Sequence, residues 1–247
     1  MQGCREEFPV RQLTADEVLE EAEKDRVFME ESDGGVTFSG GEPLLQLPFL
    51  VEVCAALKDA DFHVVVDTSG YAETSAFEQL NGVVDLFLYD LKIVDDESHR
   101  KYTGVSVLPI LRNLDWLLVN RAAVWVRIPI VPGITDQRAN LANICRILKG
   151  RESYVRLSLM PYHSGGSRKY RRLGLEDRLK EAEPPGRRRM DEISEFLKDS
   201  GFDVHIGAHI PRGPAALLVH TSRSDHRNQP LGFLQPRQTG CQPLPVL

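Results

Sequence analysis

A short stretch, GGVTFSGGEPLLQ at residues 34–46, sets a pattern that much of the chain repeats. Its β-branched and aromatic residues predict a buried strand, which ends at Gly40 and Gly41 and is followed by Glu42. Glycines let the backbone approach a ligand closely, and a carboxylate at a strand end can accept a charge-assisted hydrogen bond from an ammonium group. The alternative is structural: a glycine turn in which Glu42 caps the next helix.

Composition bounds the class of protein. The 247 residues are 42% hydrophobic and 27% charged, which suits one globular domain of barrel size or two small ones. A net charge of −6 lacks the excess of positive charge that is typical of nucleic-acid-binding proteins. No apolar stretch approaches the ~20 residues that span a bilayer, and the charged start does not resemble a signal peptide. We therefore expect a cytoplasmic protein that binds neither nucleic acid nor membrane.

The four cysteines, at positions 4, 54, 145 and 241, lie too far apart to form a short metal-ligand motif. Cys54 and Cys145 each fall on the apolar side of a helical pattern, which predicts that they pack in the core. Cys241 falls in a C-terminal region, residues 211–247, that has six of the fifteen prolines and no periodicity. Residues 211–247 are predicted to be a disordered tail.

Strand-like runs alternate with helix-like segments along the rest of the chain. Thr14 and Glu17 form a capping box that predicts a helix through Glu31. The predicted strands are Val36–Ser39, His63–Asp67, Asp85–Leu91, Val124–Ile130, Tyr154–Met160 and Asp203–Gly207. The other predicted helices lie at about 48–60, 74–81, 107–120, 137–149 and 187–200.

This alternation predicts an α/β fold with a parallel sheet, either a (β/α) barrel or a doubly wound sheet. Polar residues stand at the carboxyl ends of many successive strands, which favours a barrel because barrel chemistry is supplied by many strand ends. A doubly wound fold usually has a G-x-G-x-x-G turn after its first strand, and none follows here. We predict a partial parallel (β/α) barrel over residues 14–210.

Six motifs occur in the order and approximate spacing of a known family. They are GGVTFSGGEPLLQ, VVDTSG at 65–70, LFLYDLK at 86–92, His99, VWVRIPIVPGITD at 124–136, and LMPYHSGGSRKYRRLG at 159–174. The chain resembles, from about Thr14 to Ala208, the glycyl-radical-enzyme activating proteins, a radical S-adenosylmethionine branch that includes the pyruvate formate-lyase activating enzyme.

The resemblance implies an activity. Such an activase uses S-adenosylmethionine and a [4Fe–4S] cluster to generate a 5′-deoxyadenosyl radical. That radical abstracts a glycine hydrogen from a partner glycyl radical enzyme under anaerobic conditions. A flavodoxin or a ferredoxin is the expected electron donor.

The resemblance also implies a site. S-adenosylmethionine would be bound by Gly40, Gly41, Glu42, Asp67, Asp90, Lys92, Arg127 and His163, with Glu42 on its amino group. Asp67, Thr68 and Asp90 are hard oxygen donors, and with the carbonyl of Leu88 they would line a monovalent cation site. Lys92 and Arg127 would hold a carboxylate or a developing anion.

Each assignment has a structural alternative. Asp67 can instead form an Asx turn, and His163 can be a hydrogen-bonded structural residue. His99 is a weaker candidate for the site. The basic stretch Arg168–Arg172 is either a solvated loop or part of a surface that docks the partner.

One defining element of the family is absent from the sequence. The family carries a C-x3-C-x2-C loop after its first strand, whose three thiolates hold the cluster, and the sequence does not contain that loop. We therefore expect a chain that lacks the first strand, with residues 1–13 as an N-terminal remnant and no identifiable catalytic residue. The strand at Val36 would then have an unpaired edge. The alternative function is a non-catalytic pseudoenzyme that binds S-adenosylmethionine or the partner.

Overall fold

The structure is a computed structural model that describes residues 12–163, 179, 182–207 and 216–221. The described strands are β1 Gly35–Gly40, β2 Val64–Thr68, β3 Leu86–Asp90, β4 Val124–Ile130, β5 Arg156–Pro161, β6 Asp203–Ile206 and β7 Ala216–Thr221. The described α-helices are α1 Ala15–Lys24, α2 Arg26–Ser32, α3 Leu47–Asp59, α4 Thr74–Leu80, α5 Asp96–Thr103, α6 Leu108–Val119, α7 Arg138–Ile147 and α8 Arg187–Asp199. None of these helices is both long and apolar enough to cross a membrane.

The strands form one parallel sheet in the order β6-β5-β4-β3-β2-β1-β7. From β1 to β6 each strand lies beside its predecessor in the chain, and helices connect most neighbours. This arrangement is the open, partial (β/α) barrel that the alternating pattern predicts. Its carboxyl strand ends all lie at one edge of the sheet.

Alternation along the strands separates two faces. One face packs under the helices and supplies most of the core, including Phe38, Val66, Phe87, Tyr89 and Val126. The other face carries a small apolar cluster of Val65, Leu88 and Trp125. Asp67, Asp90 and Arg127 follow these three residues by two positions, so they share that second face at its carboxyl end.

The start of the domain follows the capping prediction. The Thr14 hydroxyl accepts a hydrogen bond from the Glu17 backbone N–H, and the Glu17 carboxylate accepts one from the Thr14 backbone N–H. The predicted single helix through Glu31 is divided at Asp25 into α1 and α2. Asp33, in the left-handed region at φ 51°, ends α2 before β1 begins.

Strand β7 corrects the expectation that β1 has an unpaired edge. The structure pairs β7 with β1 over its whole length, from Gly35 beside Ala216 to Gly40 beside Thr221. The edge of β1 is therefore covered by residues 216–221 of the predicted tail. The tail as a whole is rich in proline, but its stretch ALLVHT has the apolar and β-branched residues of a strand, and β1 offers it backbone groups to pair with. The rest of the predicted tail lies outside the described residues.

Candidate functional site

Glu42 lies just beyond the carboxyl end of β1, where its side chain is held by the turn after β2. Its Oε1 accepts a hydrogen bond from the Thr68 hydroxyl at 2.7 Å. Its Oε2 accepts from the Ser69 backbone N–H at 2.9 Å and from the Ser69 hydroxyl at 2.5 Å. Oε1 also caps the short 3₁₀ helix Pro43–Gln46 through Leu44 N at 3.4 Å. The cap that was the structural alternative exists, but it is the longest of four contacts on this carboxylate.

The turn that holds Glu42 is itself tightly packed. Thr68 Oγ1 accepts a hydrogen bond from Gly70 N at 3.0 Å. The side chain that stabilises this turn is therefore that of Thr68 and not that of Asp67, for which the sequence analysis considered an Asx turn. Gly70 has φ +77°, and a Cβ there would come within 2.0 Å of the buried Tyr89 hydroxyl. The Asn113 side-chain amide donates to the carbonyls of Gly70 and Ala72 at 3.0 and 2.8 Å. Thr68 and Ser69 are thereby fixed in place beneath the Glu42 carboxylate.

Arg127 joins the two aspartates on the neighbouring strands. Its Nη1 donates to Asp67 Oδ2 at 2.9 Å, and its Nη2 also bonds to Asp67 Oδ1. Its Nε donates to Asp90 Oδ1 at 2.9 Å, and Nη2 lies 2.7 Å from the same oxygen. One guanidinium therefore binds Asp67 bidentately and Asp90 at the same time.

Lys92 adds a second cation at the end of β3. Its Nζ lies 3.9 Å from Asp90 Oδ2, which is an ion pair but too long for a hydrogen bond. Its backbone carbonyl accepts from the Asn140 side-chain amide at 2.8 Å, which ties this segment to α7. Arg127 therefore donates hydrogen bonds to both aspartates, whereas the Lys92 ammonium forms none with Asp90.

Burial and the neighbouring charges both act on the pKa values of Asp67 and Arg127. It raises the pKa of Asp67, and the charges of Asp90 and Glu42 act in the same direction while Arg127 opposes them. Burial lowers the pKa of Arg127, but the two aspartates outweigh burial and leave that pKa above its ordinary value. The guanidinium is therefore charged at any pH that the fold survives.

The structure brings most of the predicted residues together. Asp67, Asp90, Lys92 and Arg127 form one ionic network, and Thr68 links the strand of Asp67 to Glu42. Gly40 is the last residue of β1, at φ 123°, and Gly41 is exposed directly before Glu42. Leu88 lies beside Asp67 in the register of β2 and β3.

The two histidines differ in their placement. His163 is exposed two residues beyond β5, at the same edge of the sheet as the network. His99 is buried in α5, and its Nδ1 lies 2.8 Å from both the Val105 carbonyl and the Thr103 hydroxyl. His99 is therefore a structural residue that closes the end of α5. The basic stretch Arg168–Arg172 lies outside the described residues.

Ser69 is a site residue that the sequence analysis missed. It supplies two of the four hydrogen bonds to Glu42, one from its backbone and one from its hydroxyl. The available signal was its position directly after Asp67 and Thr68, at the end of a strand next to the one that precedes Glu42. That signal is weak, because serine is common in turns of purely structural kind.

The described cysteines do not form a cluster site. Cys54 is buried on α3, where burial raises the pKa of its thiol to about 12, and Cys145 is half-buried on α7. In the part of the chain that the structure covers, no group of three or more His, Cys, Asp or Glu side chains could hold a metal ion. Cys4 and Cys241 lie outside the described residues.

Comparisons with known proteins agree with this geometry. Residues 3–145 match the Radical SAM superfamily. The chain is 36% identical over 205 residues to the trans-4-hydroxy-L-proline dehydratase activating enzyme of Clostridioides difficile, a match that covers 82% of this chain and 66% of the relative. It is 34% identical over 199 residues to the pyruvate formate-lyase-activating enzyme of Staphylococcus epidermidis, covering 78% and 79%. A solved domain of the pyruvate-formate lyase-activating enzyme from Bacteroides vulgatus superposes with a TM-score of 0.60 at 26% identity, covering 71% of this chain and 99% of that domain.

These matches and the fold place the chain in the radical S-adenosylmethionine superfamily. Within it, the chain belongs to the family of pyruvate formate-lyase-activating-enzyme-like proteins, the activases of glycyl radical enzymes. The chain spans just under two thirds of the length of the trans-4-hydroxy-L-proline dehydratase activating enzyme.

Proposed function

We propose that the site binds S-adenosylmethionine, with Glu42 accepting hydrogen bonds from its ammonium group. The observation that carries this proposal is the fixed Glu42 carboxylate, which Thr68 and Ser69 hold at the open edge of the sheet. An ammonium can replace either hydroxyl donor, because Thr68 and Ser69 can rotate their hydroxyl hydrogens elsewhere. Gly40 and Gly41 leave the backbone bare on the approach to this carboxylate.

Charge balance supports the same ligand. Asp67 and Asp90 are matched in number by Arg127 and Lys92, so Glu42 leaves the five groups with a net negative charge. S-adenosylmethionine carries a sulfonium, an ammonium and a carboxylate, so its net charge is positive and complements that of the site. The ammonium of Lys92, which forms no hydrogen bond with Asp90, is the group placed to bind the ligand's carboxylate.

The reaction that this site serves is the activation of a glycyl radical enzyme, in which a hydrogen atom is removed from a glycine of the partner. Family membership supports this assignment. A flavodoxin or a ferredoxin would supply the electron. Because the described residues bring no three thiolates together, the part that they support is the binding and orientation of S-adenosylmethionine. His163, at the same edge, is assigned to the cofactor through the resemblance alone.

Isothermal titration of the chain with S-adenosylmethionine tests the proposal. Glu42→Gln removes the charge and is expected to weaken binding about 10- to 150-fold, because a hydrogen bond to a charged group contributes ~1.5–3 kcal/mol. Glu52→Gln, on the exposed side of α3, removes the same charge and should leave the affinity unchanged. Equal affinities for the wild type and Glu42→Gln would show that Glu42 is not the ammonium ligand.

The second candidate function is a non-catalytic module that binds S-adenosylmethionine or the partner. The observation that favours it is the separation of Cys54 and Cys145 on two different helices. Anaerobic reconstitution with iron and sulfide separates the two candidates. We expect no stoichiometric [4Fe–4S] absorption from this chain, and a cluster that cleaves S-adenosylmethionine would exclude the module. Cluster formation only after an upstream C-x3-C-x2-C segment is added would support the activase.

A further inference from the structure

The acidic pair of the site has a partner that the family resemblance does not assign to it. By resemblance, Asp67 and Asp90 would line a monovalent cation site together with Thr68 and Leu88. In the structure both carboxylates bind the guanidinium of Arg127. We infer that Arg127 is the built-in counter-cation of the Asp67–Asp90 pair and takes the place of a bound monovalent cation.

The hydrogen bonds show how fully the guanidinium is committed. Nε and both terminal nitrogens of Arg127 point at carboxylate oxygens, and Nη2 bridges Asp67 and Asp90. Both oxygens of Asp67 and one oxygen of Asp90 are therefore occupied. The three side chains are only 18–23% exposed, so water does little to replace these contacts. A cation at this point would have to displace the arginine.

Strand register explains why Arg127 reaches both aspartates. The parallel pairing of β3 and β4 sets Asp90 directly beside Arg127. The pairing of β2 and β3 sets Asp67 beside Leu88, two residues before Asp90 on the same face. The long arginine side chain spans this diagonal, with one edge on the adjacent strand and its fork on the strand beyond.

The Thr68 hydroxyl, a further candidate ligand, already takes part in two hydrogen bonds. The Thr68 hydroxyl donates to Glu42 and accepts from Gly70 N. Arg127 and Lys92 together already match the charge of Asp67 and Asp90, so the acidic pair needs no bound cation to be neutralised. The described residues of this site therefore fit a monovalent cation poorly while Arg127 is present.

Thermal unfolding of the full chain in different salts tests the inference. The probes are KCl, NaCl and tetramethylammonium chloride at equal ionic strength, which holds general screening constant. The wild type should unfold at the same temperature in all three salts. Arg127→Met leaves two carboxylates without their cation, and this variant should unfold several degrees higher in K⁺ or Na⁺ than in tetramethylammonium. Lys58→Met, which removes a lysine from its ion pair with Asp85, is the control and should show no cation preference.

A coupling experiment gives a second, independent readout. In a background of Asp67→Asn and Asp90→Asn, Arg127→Met should lower the unfolding temperature much less than it does in the wild type. If Arg127→Met fails to fold, Arg127→Lys, which retains the charge, should unfold at a lower temperature than the wild type and without cation preference. Specific stabilisation of the wild type by K⁺ or Na⁺, or an equal cost of Arg127→Met in both backgrounds, would overturn the inference. Neither readout depends on whether the site binds S-adenosylmethionine.

Discussion

Replacing Gly70 with alanine is the sharpest probe of the turn that positions Glu42. Gly70 adopts φ +77°, and an added Cβ would lie 2.0 Å from the Tyr89 hydroxyl and 2.2 Å from its Cζ. Tyr89 cannot move aside easily, because it is fully buried and donates its hydroxyl hydrogen to the Ile110 carbonyl at 2.6 Å. The turn must therefore shift, and Thr68 and Ser69 shift with it.

The loss of stability in Gly70→Ala has two parts, which are backbone strain at residue 70 and steric overlap of the new Cβ with Tyr89. An alanine in the left-handed region costs ~1 kcal/mol, and overpacking a filled core costs ~2 kcal/mol more. For a domain of this size each kcal/mol lowers the melting temperature by about 2–4 °C, so Gly70→Ala should lower it by about 6–12 °C.

Gly133→Ala is a matched control for the strain. Gly133 has the same φ of +77°, but nothing lies within 4 Å of its added Cβ, so it should lose only about 2–4 °C. Thermal unfolding followed by circular dichroism measures both variants, and titration with S-adenosylmethionine should show weaker binding only for Gly70→Ala. Equal losses for the two glycine variants would refute the argument that packing against Tyr89 fixes the turn.

Three other regions give further predictions. Burial lowers the pKa of His99, so below about pH 6.5 the unfolded chain binds a proton more readily than the folded chain does. In urea unfolding, the wild type should therefore lose more stability than His99→Asn as the pH falls from about 7.5 to about 5.5. Equal losses for the two proteins would contradict this prediction. Asn113→Asp places a carboxylate against the carbonyls of Gly70 and Ala72, which should lower the free energy of unfolding by ~2 kcal/mol or more, as measured by chemical denaturation. The control is Asn120→Asp at an exposed position, which loses one hydrogen bond to Trp116 and should lower it far less. A chain ended after Gly207 loses β7 and uncovers β1, so light scattering should detect association, and a stable monomer would show that β7 does not protect this edge.

The architecture was predictable because buried parallel strands have a strong sequence signal. The runs that form β1 to β6 are apolar on the face that meets the helices, and polar turns separate them from helical periodicity. Helix α5 had no such signal, since most of its eight residues are polar and it buries only His99 and Thr103. Its cap at Asp95, which accepts from Ser98 N, was the clue that remained.

The site was predictable as a set of residues but not as a set of contacts. Charged groups at the ends of neighbouring strands share one edge of a parallel sheet, so their approach to one another follows from the strand pattern alone. Which of these charged groups form ion pairs depends on the register of the neighbouring strands, and the sequence alone does not determine that register. With Asp90 beside Arg127 and Asp67 two residues behind on the next strand, one guanidinium can bind both carboxylates. The same residues that resemble a cation site are then neutralised within the protein, and Glu42 and Lys92 remain the charged groups best placed to meet a ligand.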